Sequence, residues 1–104
     1  INETDEDAAD KTAGRVESIF GFTKKTGASS VFAGTAVEVM KTPGLGAKGH
    51  IGIRTNFINR AVNYLEYQGV EFDQSSAKYD DKGSLKAIYL KEEVGGFAVH
   101  LVQK

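Results

Sequence analysis

Glu38, His50 and His100 are the residues of this chain whose types and spacing could do chemistry. Gly34-Thr35-Ala36-Val37-Glu38-Val39-Met40 aligns residue for residue with Gly96-Phe97-Ala98-Val99-His100-Leu101-Val102, which makes Glu38 and His100 equivalent. The other histidine, His50, opens the strand-like run His50-Ile51-Gly52-Ile53. Two imidazoles and a carboxylate form a donor set for a divalent ion such as Zn, Ni, Mn or Fe. An ion held there with an open position would polarise a carbonyl or an enediolate oxygen. The plainer alternative is that all three are structural or solvated residues of sheet faces.

The elements that must carry these residues occur twice. From Thr4 the pattern is helical: Thr4 with Asp7 makes a capping-box-like start, and Glu3, Asp5, Glu6 and Asp7 suit the positive end of a helix dipole. Ala9, Ala13, Val16 and Phe20, with Ile19 beside them, form the apolar stripe, and Gly21 caps its end. Three short strands follow at Phe22–Lys25, Ser29–Gly34 and Thr35–Met40. Thr42-Pro43-Gly44-Leu45-Gly46 is a run of turn formers, after which the pattern restarts. In the second copy a strand at His50–Arg54 leads to Asn56 as N-cap and a stripe of Phe57, Ile58, Ala61, Val62 and Leu65. Strands at Val70–Asp73, Leu85–Leu90 and Phe97–Val102 complete it, with Asp80–Ser84 as a tight turn. The repeat offset grows from 52 (Ile1 to Ile53) to 62 (Val37 to Val99), so one loop of the second copy carries an insertion.

The expected fold class is therefore α+β: two βαβββ modules in tandem, the first strand of module one truncated, their mixed sheet curved into a cup with the helices outside. Residues 1–41 are module one, 42–49 the linker and 50–104 module two, together one domain. Ile1-Asn2 precedes the first helix as Ile53-Arg54 precedes the second, so the chain is read as part of a longer polypeptide.

Alternation assigns the faces. Phe97, Val99 and Leu101 share one side of the last strand, and this bulkier set is the natural bed for a helix. His100 then points away from the helix. On the same logic Val37 and Val39 go to the helix while Glu38 and Met40 oppose it, and His50 shares a face with Gly52 rather than with Ile51 and Ile53. Met40, Phe20, Phe32, Phe57 and Phe97 are read as core packing.

Composition removes several function classes. A formal charge of -1, with Lys and Arg scattered, offers no basic field for a phosphate backbone, so nucleic acid is not an expected partner. With no cysteine there are no disulfides, thiolate ligands or cysteine nucleophiles, which fits a cytoplasmic protein. No apolar run has membrane-spanning length, so no membrane association is expected. Gly44–Gly49 has the glycines of a phosphate loop but leads into a strand, where no helix dipole would meet the anion.

The two βαβββ modules, the first-strand histidine in Gly49-His50-Ile51-Gly52-Ile53, and the last strands, of which Gly96–Leu101 has the form Gly-aromatic-x-Val-x-Leu, resemble the vicinal oxygen chelate superfamily of glyoxalases, bleomycin-resistance proteins and extradiol dioxygenases. Within it, Val31-Phe32-Ala33-Gly34 through Val37–Lys41, Ile88-Tyr89-Leu90-Lys91 and Gly95-Gly96-Phe97 look most like a glyoxalase-like domain. That domain lies C-terminal to 2-dehydro-3-deoxy-phosphogluconate / 4-hydroxy-2-oxoglutarate aldolases of Gram-positive bacteria. The resemblance implies metal ligands at Glu38, His50 and His100, with a fourth before Ile1. His100 departs from the pattern, which commonly has glutamate there.

Three functions follow as expectations. The first is an accessory or small-molecule-sensing domain of a bacterial keto-acid aldolase, whose lyase chemistry would reside in an N-terminal barrel of the same polypeptide and not in this domain. The second is a free-standing metal-dependent glyoxalase- or dioxygenase-like enzyme, with Glu71 as a base. The third is a structural dimerisation domain, since an incomplete first strand leaves an edge for a second copy; a homodimer is expected.

Overall fold

A computed structural model describes all residues, Ile1–Lys104. In chain order the elements are α1 (Glu6–Phe20), β1 (Lys24–Thr26), β2 (Ser30–Ala33), β3 (Val37–Met40), β4 (Gly49–Thr55), α2 (Ile58–Tyr67), β5 (Phe72–Tyr79), β6 (Leu85–Val94) and β7 (Phe97–Gln103). The architecture is α+β, with one sheet in the order β1-β2-β3 and another in the order β4-β7-β6-β5. Neither sheet closes into a barrel. The chain divides into two compact units, Ile1–Gly49 and His50–Lys104.

In the first unit, Asn2 bridges Met40 in parallel. The Met40 amide donates to the Ile1 carbonyl at 2.8 Å and the Glu3 amide to the Met40 carbonyl at 3.1 Å. Counting this short pairing, the order from Ile1–Glu3 through β3 and β2 to β1 repeats that of β4-β7-β6-β5. Asn2 also anchors the Pro43 turn, accepting from the Gly44 amide and donating to the Gly46 carbonyl, both at 3.0 Å.

Helix α1 begins one residue later than its sequence signals indicate. Asp5, with extended backbone, is the N-cap in place of Thr4, and its Oδ1 accepts from the Ala8 amide at 2.8 Å. A carboxylate there satisfies an orphan donor and meets the positive end of the dipole together. At the other end Gly21 takes φ 73°, a conformation that costs a side-chain-bearing residue about 1 kcal/mol or more. Ala9 and Ala13 are fully buried against Val31, Ala33 and Val39, with Val16 and Val37 packed at the margin.

Phe20, expected in this core, is instead 65% exposed, and Ile19 is 53% exposed. The lengths explain it: fifteen helical residues extend about 22 Å, whereas four strand residues extend about 13 Å. The last turn of α1 overhangs its sheet, and the Phe20 ring rests 5.8 Å from that of Phe22. Phe32 is likewise not a core residue. It lies between Val31 and Ala33, which face α1, so alternation sends it to the opposite side, across from Glu38.

In the second unit α2 packs over β6 and β7. Ile58 and Val62 meet Phe72, Ile88 and Leu101, and the fringe includes Ala61, Leu65 and Val70. Burial of Ile58 alone is worth roughly 1.5–3 kcal/mol. Asn56 is not the N-cap. Phe57 occupies that position without a side-chain cap bond, and Gln103 of β7 takes over the function. Its Oε1 accepts from the Ile58 amide at 2.9 Å and its Nε2 donates to the Asn56 carbonyl at 2.6 Å. Phe57 is 62% exposed with the Arg60 guanidinium 5.5 Å from its ring centroid, so it too lies outside the core. Because α2 lies over β6 and β7, Ile51 and Ile53 of β4 stay 42% and 49% exposed.

Strand β5 continues to Tyr79, well beyond Asp73. Its pairing with β6 shifts register between Asp73 and Lys78. There the Ser76 hydroxyl donates to the Asp73 carbonyl at 2.6 Å and accepts from the Tyr89 amide at 2.9 Å. A side chain thus fills a gap in the ladder that the bulge opens. No helix of the chain is long and apolar enough to cross a membrane.

Candidate functional site

The second module builds a cluster of three rings on the helix-free face of its sheet. Strands β6 and β7 pair antiparallel, with Ile88 opposite Leu101 and Tyr89 opposite His100. Since Ile88 and Leu101 are buried under α2, Tyr89 and His100 project from the other side. Their rings stack, with centroids 4.5 Å apart and planes inclined by 12°. Strand β4 neighbours β7 and brings in His50, whose ring meets that of His100 edge-on, 5.5 Å between centroids and 82° between planes. Gly52, two residues along β4, lies beneath the same ring: a Cβ built on it would stand 2.8 Å from His100 Nε2.

The expected facial assignment of His50, Gly52 and His100 is thus realised, and the two histidines meet within one module. Imidazoles so placed can ligate a metal, accept or donate a proton, or hydrogen-bond a small polar ligand. The Tyr89 phenol adds a polar tip beside an apolar ring.

Glu38 belongs to the first module. It faces away from α1, between Val37 and Val39, which pack against the helix. Its Oε1 accepts from the Ser30 hydroxyl at 2.8 Å, and Ser30 is the buried polar residue of that module. Within neither module do three or more His, Cys, Asp or Glu side chains gather in a metal-holding arrangement.

Glu71 stands at the far edge of the second sheet, where it pairs with Lys91 at 3.6 Å. Its side chain is 76% exposed. With Glu66, Gly69 and Gln74 it lines an open depression of about 460 Å³. A surface ion pair of this kind contributes little to stability.

Two ionisable groups are shifted by specific partners. The hydrogen bond of Lys24 to Asp10, at 2.9 Å, raises the lysine above its ordinary 10.5. The Asp80 carboxyl falls below its ordinary 3.8, first because Oδ1 accepts from the Ser84 amide, then through the Lys82 amide and the nearby Lys86 ammonium. Both groups serve structure: Lys24 ties β1 to α1, and Asp80 closes the β5–β6 turn.

Tyr89 and Gly52 are the site residues that pattern reading leaves unmarked. Tyr89 sits in the apolar stretch Ala87–Leu90 of β6, a strand whose register with β7 shifts between Tyr89 and Glu93. Spacing along the chain does not reveal that it faces His100. Gly52 carries a signal, a glycine two residues after a strand histidine, but its meaning depends on what lies across the sheet.

No family model matches this chain, and no curated protein or solved structure matches it.

Proposed function

We propose that the chain is a glyoxalase-like accessory domain that binds a small oxygen-rich ligand, of the 2-oxo acid class, at His50, Tyr89 and His100. The reading attaches it to a keto-acid aldolase whose lyase chemistry lies in another domain of the same polypeptide. The observation that carries it is the convergence of both histidines and a tyrosine on the helix-free face of one βαβββ module. The matching strand order of the two modules supports the glyoxalase-like resemblance. In this reading the imidazoles and the phenol recognise carboxylate and carbonyl oxygens by hydrogen bonds, and no residue here breaks a carbon–carbon bond.

The test follows the histidine Hε1 resonances while pyruvate is added, first alone and then with a divalent ion. Displacement of both resonances, lost in His100→Ala, supports the reading; resonances unmoved under both conditions overturn it. The coding sequence upstream of Ile1 tests the attachment separately. Barrel sequence there supports it, and a start codon within a few residues refutes it.

A second reading, a free-standing metal-dependent enzyme, is favoured by the approach of two imidazoles to 5.5 Å between ring centroids. It requires His50 and His100 to take up Zn, Ni, Mn or Fe in stoichiometric amount from protein purified without chelator. It fails if His50→Ala combined with His100→Ala leaves metal content unchanged.

A further inference from the structure

We infer that Gly52 is a positioning residue for His100: the missing side chain at position 52 is what allows the imidazole to lie stacked on Tyr89 and edge-on to His50. The inference deepens the binding site proposed above and rests on that reading only for its functional consequence.

The constraint on the His100 ring is steric. A Cβ at position 52 would come within 2.8 Å of His100 Nε2 and 3.3 Å of Cδ2. Real Cβ atoms do not approach other heavy atoms to 2.8 Å, so either the ring or the strand must give way. An isolated imidazole at the end of a side chain would swing aside at little cost. His100 is less free, because its face is stacked on Tyr89 and the His50 ring stands against it. The ring is therefore bounded by Tyr89, His50 and the main chain of Gly52. Filling position 52 pushes it off at least one of those partners.

No backbone demand explains the glycine. Gly52 is absent from the positive-φ residues, which include Gly21, Gly34 and Gly49. In an extended strand a glycine without such a demand is a liability, since it weakens the strand by entropy and packs nothing. Its use here is the close approach of another group. An alanine at this position should stabilise an ordinary strand, and here the ring above it reverses that sign.

The experiment is a double-mutant cycle, Gly52→Ala with His100→Ala, read by thermal unfolding and by the histidine Hε1 resonances. The chain has two histidines, so His50→Gln and His100→Gln assign both signals. In the wild-type background Gly52→Ala lowers the melting temperature and moves the His100 resonance out of the shielding cone of Tyr89. With His100→Ala the same substitution leaves the melting temperature unchanged or raises it. Equal effects of Gly52→Ala in both backgrounds, or a His100 resonance that stays in place in Gly52→Ala, overturn the inference. Should Gly52→Ala not fold alone, recovery of folding in the Gly52→Ala/His100→Ala protein supports the inference, and failure of both to fold refutes it. The pyruvate titration separates the two readings. Coupling in the cycle without any response of wild-type resonances to pyruvate leaves Gly52 as a positioning residue and removes the proposed ligand.

Discussion

Removal of the Gln103 side chain tests a non-local feature of the fold, the capping of α2 at Ile58 by a residue forty-five positions away at the end of β7. Gln103 Oε1 accepts from the Ile58 amide at 2.9 Å, and its Nε2 donates to the Asn56 carbonyl at 2.6 Å. The first bond satisfies an orphan donor of the opening helical turn, a function worth about 0.5–2 kcal/mol at helix N-termini. The second is one intramolecular hydrogen bond, with a net contribution of about 0.5–1.5 kcal/mol that is reduced where water can replace the donor, as at this exposed carbonyl. Gln103→Ala is thus expected to lower stability by about 1–2 kcal/mol. Asn56→Ala is the control. A local reading makes Asn56 the cap and predicts about 1 kcal/mol for its loss, whereas its side chain caps nothing in the structure. Urea unfolding followed by far-ultraviolet circular dichroism, with linear extrapolation to water, measures both variants. Gln103 is not the cap of α2 if Gln103→Ala lies within about 0.3 kcal/mol of wild type, or if Asn56→Ala costs more than Gln103→Ala.

Other perturbations probe the core and the turn. Ile88→Ala removes a side chain that is 2% exposed at the meeting of α2, β5 and β7, and should cost about 2–5 kcal/mol by urea unfolding. A loss below about 1 kcal/mol would mean that the core collapses around the cavity. Asp80, with its folded pKa depressed below 3.8, contributes stability that is fully present above that value and is lost as pH falls through the folded pKa. Asp80→Asn should therefore flatten the fall in melting temperature below about pH 4 and leave the slope near neutrality alone; an unchanged acid limb refutes the assignment.

Much of this architecture is legible along the chain because it is governed by local rules. The doubling is written in the twin endings around Glu38 and His100. Gly21 ends α1 where a left-handed residue is needed, and the run Asp80–Ser84 makes the turn between β5 and β6. The alternation Val37-Glu38-Val39 sends valines to the helix and the carboxylate away from it. The misplacements arise where a length or a distant partner intervenes. Phe20 lies on the correct stripe of α1, yet the strands beneath are too short to reach it. Phe57 follows the helical period of α2 but falls at its N-cap, just before the first turn, and stays 62% exposed. The polar stretch Gln74-Ser75-Ser76 offers no two-residue alternation, and it becomes strand because β6 supplies the ladder and Ser76 patches the bulge.

The candidate site divides along the same line. The residue types and the duplicated register are written in the chain itself, and the facing of His50 and His100 follows from period-two alternation, which any chain of this sequence must obey once it forms strands. The adjacency of β4 to β7 and the irregular pairing of β6 with β7 are decided by the tertiary structure, and they place Tyr89 under His100 and His100 over Gly52. The physical reason is one of range. Alternation and capping are set by the next few residues, whereas ring stacking and the space above a glycine depend on strands that meet only when the sheet assembles.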